Sequence, residues 1–403
     1  MNIDNFAADV FVSELVMDGL IHAQSLRHFL EREGISVSMR DIYLCPERVE
    51  DVWAAWEAEN SASVRKPKPS LLTVLRDRAR KDYARRMAER YAVAGHFSIN
   101  IQDENYPARL SDLTGMPIIL YGIGNAALVD GTSYLAASIV GTRAPTMYGL
   151  SVTREIVSAL CRYDIVVVSG LARGIDTQAH SVCLKEGGKT IAVLAGGLDT
   201  VYPPENRGLC REIAERGCVL SELPPGRAAL RQFFPARNRI LSALSDTVVV
   251  VEAGEKSGTL HTASYGVSQG REVFAVPGNI YSPKSKGSLR LIQDGALVYL
   301  SPEDILNRLV DVRFFREFDR IRRNECVGAD CAGDSGKKNK PAVKTKKDSL
   351  LEHIQSCDKS VDELLDITKH SYDELILLLS ELEIEGEITE KNGRYSFVNY
   401  PLA

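Results

Sequence analysis

The chain has 403 residues, 44% of them apolar, and a formal net charge of −5 at neutral pH. That length suggests two to three domains with ordinary buried cores, and the charge does not advertise a nucleic-acid binder. No apolar run approaches the ~20 residues of a membrane helix, and the opening MNIDNFAADV lacks the basic and apolar regions of a signal peptide, so a soluble cytoplasmic protein is expected.

Residues 1–95 read as a helical domain. LRHFLEREG and VEDVWAAWEAEN carry helical apolar spacing, and KPKPS interrupts it. Charge is uneven: residues 1–60 hold 12 acids and 4 bases, whereas 61–90 hold 10 bases and 3 acids. The basic stretch reads as a solvated helix face or as an extension of a DNA path. Over 100–310 the texture changes. AASIVG, DIVVVSG, TIAVLAGG, CVLSE, DTVVVVEAG, EVFAVPG and ALVYL read as strands, several of them apolar throughout. Helical stretches such as GLSVTREIVSALCRY and NRGLCREIAERG fall between them. This alternation predicts an α/β fold with an open, doubly wound, mostly parallel sheet.

Residues 323–347 have almost no large apolar side chains and read as a flexible linker. Residues 348–403 regain a core pattern, with three helices and a short hairpin arranged as in a winged-helix domain. Ser360 and Ser371 are candidate caps of its second and third helices. This segment carries 13 acids and 4 bases, so a protein-interaction or regulatory role is expected of it rather than DNA contact.

The eight cysteines do not suggest a disulfide scaffold in a chain this long. Cys161, Cys183, Cys210 and Cys218 sit among apolar residues and read as small hydrophobes. Cys326, Cys331, His353 and Cys357 are zinc-ligand types, but their irregular intervals argue against a zinc site.

Ligands of doubly wound sheets bind beyond the carboxyl ends of the strands. The loops expected there are GTRAPTMYG (141–149), SGLARGID (169–176), GGLDTVYPPENR (196–207) and EAGEKSGTLHTA (252–263). Glycines let backbone N–H groups approach a ligand, and each following helix directs its amino end to the same mouth. Arg143, Arg173 and Lys256 add positive charge. In RQFFPARNRILSALSD (231–246), Arg231, Arg237 and Arg239 crowd around Phe233, Phe234 and Pro235, a mixture suited to stacking bases and holding phosphates. Asp176 and His180 share a helix face and could serve an enzyme, or brace the loop. No nucleophile motif, GxxxxGKS loop or GxGxxG fingerprint accompanies them, so no cofactor is expected.

In order and close to spacing, GTRAPTMYG, SGLARGIDTQAH, TIAVLAGGLDTVYPPEN, FPARNRI, VVVVEAGEKSGTLHTA and GREVFAVPGNI resemble the DNA-processing protein A (DprA/Smf) family. NYPARLSDLTGMPIILYGIGN (105–125) is similar to its lead-in. One departure is GSLRLI (287–292), where Leu289 replaces a common asparagine. The resemblance implies an extended Rossmann-like domain over 100–310, a SAM-like domain over 1–95 and a winged helix over 348–403. It also implies a non-catalytic homodimer that protects single-stranded DNA and loads the recombinase RecA during natural transformation. Arg143 matches a phosphate-contacting arginine, Arg231 and Phe234 match basic and aromatic contacts, and Ser169, Gly170 and Arg173 belong to the matching glycine loop. With Arg237, Asn238, Arg239, Ser257 and Gly258 from the matching blocks, and Lys256 on charge alone, these form the candidate contact set. The alternative is a nucleoside monophosphate phosphoribohydrolase. In that case Gly258 and Thr259 match its PGGxGTxxE motif, Thr262 falls where the catalytic glutamate belongs, and Glu252 is the acid that could substitute.

Overall fold

A computed structural model describes residues 2–18, 20–21, 23–31, 37–59, 71–111, 113–130, 134–310 and 312–313. In the carboxyl-terminal part it describes 350–351, 354, 359–368, 375, 378–379, 382, 388–391 and 394–397. The chain divides into two compact units, Met1–Arg313 and Phe314–Ala403. Among the described residues no helix is long and apolar enough to cross a membrane.

The first unit opens with helices α1 (Ile3–Met17), α2 (Ala23–Leu30), α3 (Met39–Leu44), α4 (Pro46–Glu59), α5 (Leu71–Leu75) and α6 (Arg78–Val93). The sheet then begins with β1 (His96–Asn100), α7 (Ala108–Ser111) and β2 (Ile119–Gly124). Six βα steps follow: β3 (Ala136–Val140), α8 (Met147–Arg162), β4 (Val166–Ser169), α9 (Ile175–Lys185), β5 (Thr190–Leu194), α10 (Arg207–Arg216), β6 (Cys218–Ser221), α11 (Phe233–Ala243), β7 (Thr247–Val250), α12 (Thr259–Ser268), β8 (Glu272–Ala275), α13 (Lys286–Gln293) and β9 (Leu297–Val298). The sheet order is β1-β2-β6-β5-β4-β3-β7-β8-β9. All neighbours from β6 to β9 are parallel, while β1–β2 and β2–β6 are antiparallel. The expected doubly wound sheet is therefore present. Its seven expected strands are all there, and two antiparallel strands that the sequence did not disclose extend one edge.

Alternation along the buried strands builds the two layers. In β3, Ala137 and Ile139 face α8 and α9, packing with Val152, Ile156, Ile175 and Ala179. Ala136 faces the other way, into a cluster that includes Ile240, Leu241 and Leu244 around α11, as the period of two requires. The helical segment shares a further core with the sheet: Phe6, Phe11 and Leu15 of α1 join Tyr121, Leu194 and Val219. Cys183, Cys210 and Cys218 are buried and Cys161 is half-buried, in keeping with packing roles.

The second unit contains β10 (Lys359–Ser360), α14 (Val361–Thr368), β11 (Ile388–Lys391) and β12 (Arg394–Phe397), with sheet order β10-β12-β11. Leu350, Ile354, Leu364, Leu375, Leu379, Leu382 and Ile388 form its core. Ser360 caps α14 as expected: its hydroxyl accepts from Glu363 N at 3.3 Å while Glu363 Oε2 accepts from Ser360 N at 2.8 Å. Ser371, the 323–347 segment and the Cys326, Cys331, His353 and Cys357 set lie outside the described residues.

Candidate nucleic-acid interface

The chain runs β3-β4-β5-β6 to one side and then crosses to β7 on the other side of β3. This is a topological switch point, where loops part and leave a crevice. A cleft of about 380 Å³ lies there. Its walls come from the loops after β3 (Gly141–Arg143), β4 (Ala172) and β7 (Ser257, Gly258), and from the first turns of α11 and α12. Residues far apart in sequence meet because the parallel strands place all their carboxyl ends on one rim.

Two loops lock together at that rim. Gly174 has φ +81°, and a Cβ there would lie 2.3 Å from Thr142 O. Only glycine allows the β4 loop to lie against the β3 loop so closely. Thr142 is held in turn by its N–H to Glu252 O at 2.7 Å, and it accepts from Ile175 N at 3.2 Å. Asp176 braces the loop from inside, with Oδ2 accepting from Gly170 N at 3.2 Å and Ala172 N at 3.4 Å. Burial pushes its carboxyl up, against the pull of Arg237. His180 is buried, with Nδ1 2.7 Å from Thr190 Oγ1, and burial pushes its pKa down to about 3. Asp176 thus braces the loop from a position in the cleft lining, whereas His180 is not among the lining residues and is held within the core.

The exposed Arg143 places its guanidinium 5.2 Å from the centre of the Phe234 ring. Tyr202, 46% exposed, meets the same ring edge-on at 5.8 Å. Arg143, Arg173, Tyr202 and Phe234 together line a small recess beside the cleft. This is a cationic-aromatic platform open to solvent. Sequence reasoning missed Tyr202, although an aromatic between glycines and prolines in a rim loop was its signal. The exposed His261, another cleft residue, was missed as well.

The expected contact residues fall into three groups. Arg143, Phe234, Asn238, Ser257 and Gly258 line the cleft. Arg173, Arg231 and Lys256 are exposed outside that lining, with Arg173 ion-paired to Glu205. The remaining four have protein partners for the groups expected to meet a ligand. Ser169 is buried and donates to Ile139 O at 2.7 Å. Gly170 gives its N–H to Asp176, and a Cβ on it would meet Arg237 Nη2 at 2.5 Å. Arg237 lines the cleft floor but is buried, donating to Gly170 O at 2.7 Å and to Val193 O. Burial lowers its pKa to about 10, so it remains a fixed positive charge beneath the floor at neutral pH. Arg239 lies on the far side of α11, paired with Glu222 Oε1 at 2.5 Å and lining a separate cavity with residues of α1 and α2. The half-buried Leu289 sits in α13 and offers no polar contact.

Glu252 bears on the hydrolase alternative. Its Oε2 accepts from Thr146 N at 2.8 Å and its Oε1 from Thr146 Oγ1 at 2.6 Å, so both oxygens secure the amino end of α8. Thr262, which stands at the glutamate position of the PGGxGTxxE motif, lines the cleft. Of the basic stretch, the described part is largely engaged within the helical segment. Arg76 pairs with Glu47 at 2.6 Å, Arg80 with Asp18 at 2.6 Å, and Lys81 lies over the Phe11 and Tyr43 rings.

The fold and the cleft define a doubly wound α/β protein whose switch point carries a cationic-aromatic groove. The family model of DNA recombination-mediator protein A matches residues 97–310, and the chain belongs to that family. DNA processing protein DprA of Bacillus subtilis is 39% identical over 265 residues, covering 63% of this chain and 88% of the relative. Protein Smf of Synechocystis is 35% identical over 312 residues, covering 72% and 77%. The X-ray structure of DNA processing protein A from Streptococcus pneumoniae is 32% identical, with TM-score 0.52, over 71% of this chain and 98% of its own.

Proposed function

We propose that the cleft holds single-stranded DNA and breaks no bond in it. The observation that carries this reading is the Arg143 guanidinium poised over Phe234, with Tyr202 against the same ring. Unpaired bases stack on such rings regardless of identity, while arginine and backbone donors hold phosphates. The amino ends of α9, α11 and α12 face the same rim and favour anions there. Asn238, Ser257, Gly258, Thr259 and His261 line the path, and Arg173, Arg231 and Lys256 flank it. Duplex DNA binds less well on this reading, because its bases are already stacked and its backbone is stiff. The engagement of both Glu252 oxygens and the threonine at 262 support a binding role over glycosidic cleavage.

The likeness to DNA-processing proteins extends the proposal. The chain acts as a homodimer in the cytoplasm, shields incoming single strands and helps load RecA during natural transformation. Two grooves on one strand raise avidity without new contacts. The 348–403 segment is a winged helix that meets protein rather than DNA.

Anisotropy titrations with a labelled oligothymidylate test the cleft. Phe234→Ala should cost about 1–3 kcal/mol of binding, the range for a lost base stack. Arg143→Ala should lower the slope of log K against log salt by about 0.7, the value for one phosphate on a single strand. Unchanged affinity in both variants defeats the proposal. So does free base released from nucleoside monophosphates by the native chain and abolished by Glu252→Gln.

A further inference from the structure

The Tyr202 side of the cleft rests on a loop that the helical segment holds from behind. Residues 197–200 turn just after β5, with Thr200 N donating to Gly197 O at 2.9 Å. Their fastening point is Arg227, in the connection between β6 and α11. Its carbonyl accepts from Gly197 N at 2.8 Å and from Thr200 Oγ1 at 2.6 Å. Gly226 N adds a tie to Asp199 Oδ1 at 2.9 Å. Downstream, the same connection runs into Phe233 and Phe234, the first residues of α11.

The Arg227 side chain runs the other way, to the helices. Nε and Nη2 donate to the two Glu14 oxygens at 3.0 and 2.7 Å, and Nη2 also reaches Asp18 Oδ1 at 2.8 Å. Asp18 Oδ2 accepts from Arg80 Nη1 at 2.6 Å. Glu14 lies in α1, Asp18 closes that helix, and Arg80 belongs to α6. Tyr83 of α6 donates to Pro225 O at 3.1 Å. A bidentate arginine–carboxylate pair fixes direction as well as distance. Burial pulls the Asp18 carboxyl upward, but the bonds from Arg227 and Arg80 outweigh it and leave the group below its ordinary value. Asp18 therefore stays ionised at neutral pH and keeps its bonds to Arg227 and Arg80. Neither Arg227 nor its carboxylate partners are among the described residues lining the cleft or its side recess.

We propose that Arg227 is a positioning residue for single-stranded DNA binding. It fastens the loop carrying Tyr202 to α1 and α6, so that the helical segment sets the gap between Tyr202 and Phe234. The inference rests on the reading of the cleft given above. A loosened loop has to be ordered at the moment of binding, and that ordering subtracts from affinity.

The test uses the full chain and a labelled oligothymidylate. Arg227→Ala and Glu14→Gln should each weaken binding roughly three- to tenfold, the span for ordering one side chain on binding. The salt slope should stay at its native value in both, because no phosphate contact is lost, whereas Arg143→Ala lowers it. The double variant should bind no more weakly than Arg227→Ala alone, since the two residues act as one unit. The charge-swapped pair, Arg227→Glu with Glu14→Arg, should recover part of the lost affinity. If Arg227→Ala fails to fold by circular dichroism, Glu14→Gln alone decides. Native affinity in these variants, with affinity lost in Phe234→Ala, overturns the positioning role and leaves the cleft reading standing. A reduced salt slope in Arg227→Ala also overturns it, by making Arg227 a phosphate contact. Native affinity in both Phe234→Ala and Arg143→Ala removes the cleft reading and this inference with it.

Discussion

Asp9 shows how one side chain ties a helix to a sheet. It sits in the middle of α1, 2% exposed, accepting from Ser98 Oγ at 2.6 Å and Asn100 Nδ2 at 3.2 Å. Burial pushes its pKa up to about 7, bonds from Ser98 and Asn100 oppose the rise, and nearby Asp103 adds to it. A folded-state value above the unfolded one means that the native state holds the proton more tightly. Stability is then fully present below the unfolded value near 4 and is lost as pH rises to about 7. Asp9→Asn removes the charge while keeping the shape. Its melting temperature should exceed that of the native chain at pH 8, and the gap should close at pH 4; equal gaps at both pH values would contradict the assignment. Arg237 makes a related point about reading sequence. Its charge suggested a surface contact, but the carbonyls at the ends of β4 and β5 enclose it. Residue type announces a cation and says nothing of what surrounds it. Tyr202 escaped notice for the converse reason, since its meaning depends on Phe234, brought near only by the crossover to α11.

At the scale of elements, the parallel strands were legible because helices cover both faces and leave β-branched runs with no polar alternation. β3, β4, β5, β6 and β7 are buried at every position. β1 was obscure because its residues are mostly half-buried and its identity depends on pairing with β2. The loops were legible from their glycines, although not every glycine serves a ligand. Gly174 serves the junction between two loops. Gly174→Ala should destabilise the chain by about 1–3 kcal/mol, the cost of holding a side chain in a left-handed backbone region, with more from the clash at Thr142 O. Denaturant midpoints measure the first effect. Weakened single-strand binding should accompany it, because the β3 loop carries Arg143.

At the scale of the whole molecule, charge is segregated. The net −5 conceals an arginine-lined groove in the first unit and an acidic 348–403 segment with 13 acids against 4 bases. A chain ending at residue 313 should bind an oligothymidylate at least as tightly as the full chain, since it sheds like-charge repulsion from the strand. A large loss on truncation would show that the acidic segment contributes directly to DNA binding. The position of β3 has a consequence for how the molecule is made. Its neighbour on one side follows soon in the chain, while the other, β7, pairs with it across a separation of 110 residues, with Asp246 reaching back to Ala136 N. Pairings of such long sequence separation form slowly. A polypeptide still emerging from the ribosome therefore presents a bare apolar edge, and it owns no complete grip until Thr262 has left the exit tunnel.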